Sequence, residues 1–170
     1  MKYSITVTLW SALAVLIFTR IIRTVAFPLD STVLKSVSIE RSVWLFSTNT
    51  NKFVRVEGSN VDALGRKTDA SAKLQLESTY VEGFGVGVRI RSVTENSYLC
   101  VNPNGDLTLE VHGNTLDRCV FSEDFSDGYT TFQSMYNTSW YLGFKRNGKV
   151  KQPHNTTNLQ KAARFMPYKS

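Results

Sequence analysis

Apolar and polar residues alternate over short stretches of this chain, and a sustained helical period of 3.6 residues is hard to find after residue 27. The alternating runs are Val54 and Val56; Leu74 and Leu76; Val86, Val88 and Ile90; and Leu107, Leu109 and Val111. Each run is bounded by Gly, Asn, Asp, Ser or Pro, as half-buried strands joined by tight turns are. The pattern therefore predicts an all-β chain.

A hairpin-like element occurs three times. Each copy begins with an aromatic residue, continues with alternating apolar positions and reaches a turn glycine, over residues 53–58, 98–105 and 141–148. A second strand-like element follows each copy, at 72–76, 119–123 and 163–167. Because one such pair of elements cannot bury its own apolar face, three copies predict a closed barrel with three-fold pseudo-symmetry. Chance similarity among apolar strands is the alternative explanation.

The first 26 residues have the pattern of a secretory signal peptide. Lys2 precedes an apolar run over residues 5–18, which is shorter than the roughly 20 residues needed to cross a bilayer, and Ala26 offers a small residue for cleavage. Two arginines after the apolar run leave a short signal anchor as the alternative. We expect a signal peptide at 1–26, a flexible segment at 27–41 and one folded domain at 42–170. The mature protein would be secreted and extracellular, without stable membrane insertion.

In a secreted protein, cysteines can form disulfides and Asn-x-Ser/Thr sequons can be glycosylated, and this chain has two of each. Cys100 and Cys119 could form one disulfide, whose closed loop of about 20 residues corresponds to about 3 kcal/mol in the chain-entropy estimate. Two buried free thiols are the alternative. Asn137 and Asn155 each begin an Asn-x-Ser/Thr triplet, so both are predicted glycosylation sites.

Positive charge is concentrated at one end of the chain. The whole sequence has 20 basic and 14 acidic residues, yet residues 128–170 contain seven Lys or Arg residues and no acid. Such a local excess predicts a binding surface for an anion, which could be a nucleic acid, a membrane surface or an acidic glycan; a merely solvated face is the alternative. A signal peptide argues against a nucleic-acid partner, because a secreted protein does not meet genomic or messenger nucleic acid.

Nothing in the sequence indicates catalysis. His112 and His154 are the two histidines and are 42 residues apart; no Cys or His cluster has metal-binding spacing, and no glycine loop of the phosphate-binding type occurs. We therefore expect no enzyme activity, no catalytic residues, no cofactor and no metal.

Several segments resemble the fibroblast growth factor family in order and spacing. The matching segments are Tyr98–Asn102, Asn104–Leu107, Cys119–Glu123, Ser139–Leu142, Lys145–Gly148 and Gln160–Pro167. The resemblance extends from about Val43 to Tyr168 and implies a β-trefoil of twelve strands. It also favours the disulfide, since some members of the family bridge a similar cysteine pair.

The chain departs from the family pattern at three places. Leu109 stands where a small residue is usual, Arg118 stands where an acid, Asn or Ala is usual, and five residues rather than six separate Glu123 from Tyr129. These departures indicate a divergent member, of a kind expected from a virus or an invertebrate.

The resemblance implies two sets of binding residues. A receptor-contacting set falls on Phe46, Glu123, Tyr129, Met166 and Tyr168. A heparan sulfate set falls on Asn49, Lys145, Arg146, Lys151, Gln160, Lys161 and Ala162. Between the two basic clusters the chain lacks the glycine-rich loop usual in the family, and a glycan on Asn155 would add bulk there. We therefore expect heparan sulfate binding that is weaker than is typical of the family.

The expected function is that of a secreted growth factor. It would activate fibroblast growth factor receptor tyrosine kinases with a heparan sulfate proteoglycan as co-receptor, and so stimulate proliferation, migration or differentiation. The alternative is a secreted carbohydrate-binding or inhibitory trefoil module without receptor activation. The Gln-x-Trp repeat of trefoil lectins is missing, because Trp44 and Trp140 follow Ser-Val and Thr-Ser.

Overall fold

A computed structural model describes residues 39–170, and within them the protein is all-β. Its ten strands are β1 Glu40–Ser47, β2 Lys52–Glu57, β3 Asn60–Gly65, β4 Lys73–Val81, β5 Gly85–Ser92, β6 Ser97–Val101, β7 Leu107–Glu110, β8 Val120–Ser126, β9 Tyr129–Ser134 and β10 Phe165–Lys169. Helical structure in this region consists of single 3-10 turns, at Ala70–Ala72, Gly113–Thr115, Asp117–Cys119, Pro153–Asn155 and Lys161–Ala163. The predicted signal peptide and the predicted flexible segment as far as residue 38 lie outside the described residues. Glu40 and Arg41, which were predicted to belong to the flexible segment, are in β1, where they pair with β4.

Six of the strands form a closed antiparallel barrel. Hydrogen-bonded pairs run in the order β1, β10, β9, β8, β5 and β4, and β4 pairs again with β1. The hairpins β2–β3 and β6–β7 extend from this ring. The arrangement agrees with the three-fold barrel predicted from the repeats.

A third hairpin, over residues 141–151, is too irregular to form two further strands. It is held by an isolated bridge between Phe144 and Val150 and by a hydrogen bond from the Lys151 N–H to the Gly143 carbonyl at 2.9 Å. Pro153, which lacks an N–H, ends the pairing soon afterwards. The twelve predicted strands therefore appear in the described residues as ten strands and one bridged hairpin.

One apolar core fills the barrel. Its fully buried side chains come from all three repeats and include Leu45, Val54, Leu74, Leu99, Phe121, Phe132, Phe144 and Phe165. Alternation predicted this core correctly on β2, β4 and most of β5. It was wrong for Val86 and Val111, which are 63% and 61% exposed. Val86 lies near the tip of the long β4–β5 hairpin, and Val111 follows the end of β7, so neither has the core beneath it.

A smaller buried cluster surrounds the disulfide. Cys100 on β6 is bridged to Cys119, which directly precedes β8, and both cysteines are completely buried. Tyr98 and Leu116 pack around them. The bridge thus attaches the β6–β7 hairpin to the start of β8.

Candidate functional site

Four apolar side chains form a continuous surface on the outer face of the barrel. Phe46 on β1 is paired in register with Phe53 on β2 and with Met166 on β10. The ring centroids of Phe46 and Phe53 are 5.4 Å apart, and each is 6.1 Å from that of Tyr168. We call Phe46, Phe53, Met166 and Tyr168 the aromatic patch.

The aromatic patch is accessible to a partner. Met166 and Tyr168 are 36% and 41% exposed, while Phe46 and Phe53 are half-buried. Rigid aromatic and Met side chains of this kind provide contact area that is desolvated on binding. Phe46 and Met166, which could have been core residues, are therefore on the surface together with Tyr168.

One member of the aromatic patch and one of its neighbours were not among the predicted site residues. Phe53 packs against both Phe46 and Tyr168, and Trp44 is the register partner of Tyr168 on β1. The Nζ of Lys67 lies 4.8 Å from the centroid of the Trp44 ring. Strand alternation could have found both, because their neighbours Val43, Leu45 and Val54 point into the core.

Glu123 and Tyr129 are on the β8–β9 hairpin, and each has a cationic neighbour. The Nη2 of Arg41 lies 2.5 Å from Oε2 of Glu123, although the two residues are 82 positions apart. The guanidinium of Arg164 lies over the ring of Tyr129, at 5.4 Å from its centroid. Because Thr130 pairs with Phe165, the backbone of Tyr129 is beside that of β10 near Met166. Four predicted residues are thus on or next to the aromatic patch, and Glu123 is attached to the same strand β1.

The first basic cluster is carried by a tight turn. The Lys145 N–H donates to the Lys149 carbonyl at 2.8 Å, and the Gly148 N–H donates to the Lys145 carbonyl at 2.9 Å. Lys145, Arg146 and Lys149 are exposed. The side-chain amide of Asn49 donates to the carbonyl of Phe144 at 2.8 Å, which fixes the base of this turn.

The second basic cluster lies beside the first. The Phe144 N–H donates to the carbonyl of Ala162 at 3.0 Å, so the 3-10 turn Lys161–Ala163 is attached to the base of the Lys145–Lys149 turn. The Nζ of Lys151 donates to Oε1 of Gln160. All seven residues of the predicted heparan sulfate set are therefore brought to one region.

Some of these residues have internal partners and others are free for a ligand. The ion pairs recorded between residues 39 and 170 use Arg41, Arg55, Arg91 and Arg118 as their cations. Four exposed cations of the two clusters take part in none of them, and we call these the basic surface: Lys145, Arg146, Lys149 and Lys161. Lys149 was not in the predicted set, although it lies in the segment that has no acids.

The two predicted glycosylation sites differ in accessibility. Asn155 is exposed in the 3-10 turn Pro153–Asn155, within the loop between the two basic clusters. Asn137 is half-buried, and its side-chain oxygen accepts the N–H of Ser139 at 3.0 Å. A glycan on Asn155 would therefore be attached to the loop that connects the two basic clusters.

Two titratable groups with displaced pKa values lie outside both surfaces. Burial, followed by the hydrogen bond to Glu77, raises the pKa of Tyr98 above its usual 10.0. Burial lowers the pKa of the Arg89 guanidinium below its usual range. Residues 39–170 contain no assembly of three or more metal-ligating side chains. In the same part of the chain, no helix combines the length and the apolar character needed to cross a membrane.

The chain is similar to known proteins over most of its folded part. A sequence model of the family described as fibroblast growth factor matches residues 41–166. The chain is 32% identical to human fibroblast growth factor 17 over 127 residues, which cover 74% of the chain and 57% of that protein. It is 32% identical to human fibroblast growth factor 18 over 123 residues, covering 72% of the chain and 58% of that protein. It is 33% identical to zebrafish fibroblast growth factor 8b over 130 residues, covering 75% of the chain and 59% of that protein.

These relatives are longer than the matched region, since the match covers 57% to 59% of their length. The matched family has a β-trefoil fold, which agrees with the barrel and its three hairpins. It consists of signalling growth factors rather than enzymes, as expected from the sequence. The chain belongs to the fibroblast growth factor family.

Proposed function

We propose that this protein is a secreted growth factor that binds and activates a fibroblast growth factor receptor tyrosine kinase, with heparan sulfate as its co-receptor. The observation that carries the proposal is the presence of two separate accessible surfaces of different chemistry on one rigid barrel. One is the aromatic patch, and the other is the basic surface.

The aromatic patch suits a protein partner. Interface hot spots are enriched in aromatic residues and lie where side chains become fully desolvated. The carboxylate of Glu123 adds a charged acceptor, and the hydroxyl of Tyr129 a polar group. The partner in this proposal is the extracellular part of the receptor.

The basic surface suits a sulfated glycan. Its four cations have no acidic partner in the described structure, so a polyanion would meet unneutralised charge. Asn49, Lys151 and Gln160 are already bonded within the protein, and in this proposal they mainly hold the two clusters in position. Simultaneous binding of glycan and receptor would add avidity, because the second contact becomes intramolecular.

The proposal includes the expected processing of the chain. Residues 1–26 would be removed as a signal peptide on secretion. Asn137 and Asn155 would carry glycans, the latter weakening glycan binding at the neighbouring basic surface.

The test uses the protein secreted by cells that express the full chain. It is applied to cells bearing one receptor and lacking their own heparan sulfate, with and without added heparin, and receptor phosphorylation is measured. We expect phosphorylation that depends on heparin. Its absence under both conditions would reject receptor activation, and retained heparin binding in that case would favour the carbohydrate-binding alternative.

The assignment of the basic surface has its own matched control. The double variant Lys145→Ala/Arg146→Ala removes one Lys and one Arg from the basic surface, whereas Arg66→Ala/Lys73→Ala removes one of each from exposed positions elsewhere. Only the first should elute from heparin at clearly lower salt. Equal elution of the two variants would show that total charge, rather than this surface, determines binding.

A further inference from the structure

The three hairpins that extend from the barrel have equivalent turns. Their turn glycines are Gly58, Gly105 and Gly148, with φ values of 59°, 78° and 83°. The residues six positions after these glycines are Leu64, Val111 and His154. The three pairs therefore occupy corresponding places in the three-fold repeat.

Two of the three turns are covered by the corresponding residue of a neighbouring hairpin. A Cβ placed on Gly148 would lie only 2.3 Å from Cγ of Leu64, and the Ala63 N–H donates to the Gly148 carbonyl at 2.9 Å. A Cβ on Gly105 would lie 2.7 Å from Cβ of His154, whose Nδ1 is 3.0 Å from the Gly105 carbonyl. Each of these junctions joins one hairpin to the next around the barrel.

The third junction, between the Gly58 turn and Val111, is open. A Cβ on Gly58 would meet no atom within 4 Å. Val111 is 61% exposed, compared with 37% for Leu64 at the first closed junction. Within residues 39–170, no hydrogen bond is recorded between residues 57–60 and the end of the β6–β7 hairpin. The free edge of β7 therefore lacks the contact that closes the edge of β3.

The disulfide is in the same repeat as this free edge. Cys100 is on β6, and Cys119 lies outside the hairpin, immediately before β8. We propose that the Cys100–Cys119 bridge is the clamp that replaces the missing third junction. The His154 contact holds the β6–β7 hairpin at its turn, so that attachment of its other end, and of no other hairpin, depends on the redox state of the protein.

Reduction of the Cys100–Cys119 bridge is a balanced two-electron step. A dithiol reductant transfers two electrons and two protons to the bridge, which yields two cysteine thiols and the oxidised, cyclic disulfide of the reductant. The bridge is completely buried, so the reductant reaches it when the hairpin opens locally. No residue of the aromatic patch or the basic surface is on β6 or β7, so both surfaces remain in place.

Hydrogen exchange measured peptide by peptide tests this proposal on the folded protein. The double variant Cys100→Ala/Cys119→Ala should accelerate exchange in residues 98–111 by roughly ten- to hundred-fold, the range that corresponds to a stabilisation of a few kcal/mol. Residues 52–65 of the equivalent β2–β3 hairpin should stay within about two-fold of the unmodified protein.

Two single variants are the matched controls. Leu64→Ala removes a closed junction and should accelerate exchange in residues 52–65 while leaving residues 98–111 unchanged. Val111→Ala is at the open junction and should change the exchange rate of neither hairpin, because the Val111 side chain does not close that junction. If Val111→Ala accelerates hydrogen exchange in residues 98–111, the claim that this junction is open is overturned.

The remaining outcomes also decide the question. If the double variant does not fold, the unmodified protein is reduced with dithiothreitol under native conditions and followed by the same exchange measurement. Acceleration spread evenly over all three hairpins, or no acceleration at all, would overturn the proposal. Heparin elution serves as the internal check that the basic surface is intact in each variant.

Discussion

The substitution Gly148→Ala tests how the turn of the first basic cluster is built. Gly148 has a φ of 83°, where an alanine costs about 1–2 kcal/mol because its Cβ approaches the backbone. The new Cβ would also lie 2.3 Å and 2.4 Å from Cγ and Cδ2 of Leu64. Crowding of this kind in a packed site typically costs a further 1–3 kcal/mol. We therefore expect a loss of about 2–5 kcal/mol in the free energy of unfolding.

Gly58→Ala is a control with the backbone effect alone. Its φ of 59° is also in the left-handed region, but no atom lies within 4 Å of the added Cβ. The expected loss is about 1–2 kcal/mol, so the difference between the two variants reports the Leu64 contact. Adding Leu64→Ala to Gly148→Ala should recover part of the crowding cost.

The assay is urea denaturation followed by tryptophan fluorescence, with heparin elution measured on the same samples. Only Gly148→Ala should also elute from heparin at lower salt, because Lys145 and Arg146 are on its turn. Equal losses of stability for the two glycine variants would refute the reasoning. If adding Leu64→Ala to Gly148→Ala recovers no stability, the reasoning is refuted as well, because the crowding would then lie elsewhere.

Three further outcomes follow from the structure. Phe53→Ala removes a ring that packs against both Phe46 and Tyr168 and should weaken receptor binding about ten-fold or more in surface plasmon resonance, with heparin elution unchanged. Unchanged receptor affinity would exclude Phe53 from the interface. In a double-mutant cycle of unfolding free energies, Arg41→Gln and Glu123→Gln should show a coupling of about 0.2–1 kcal/mol, since the ion pair is partly exposed. A coupling of zero would contradict the ion pair. Because the pKa of Tyr98 is raised, the contribution of this group to stability is complete below pH 10.0 and is lost as the pH rises through the folded-state pKa. On alkaline titration Tyr98→Phe should therefore lose less stability than the unmodified protein. Parallel pH profiles of the two proteins would contradict this.

The barrel could be predicted from the sequence because the pattern of apolar residues and turn glycines that specifies it is local and occurs three times. Alternation identifies which side chains of β2, β4 and most of β5 face the core, and the spacing of the turn glycines shows that one hairpin occurs three times. Alternation does not show where a strand leaves the barrel, because that depends on strands from other repeats. Val86 and Val111 have the right phase for burial and yet lie beyond the core.

The two candidate surfaces were only partly predictable for a related reason. The acid-free segment shows its positive charge in the sequence itself, so the basic surface is visible there. The ion pair between Arg41 and Glu123 joins residues 82 positions apart, and only the closed barrel brings them together. The contact of Phe53 with Tyr168 likewise depends on the pairing of β1 with both β2 and β10.

The position of the aromatic patch has a consequence for the durability of the protein. Phe46 and Phe53 belong to the first two strands of the described barrel, while Met166 and Tyr168 belong to the last, so the patch straddles the seam where the first and last described strands meet. A ligand that binds across a seam resists its fraying, because binding to the closed form alone adds to the stability of that form. In the proposed function, receptor engagement would therefore protect the first and last strands of the described barrel from proteases, and the unbound factor would be the form that is degraded first.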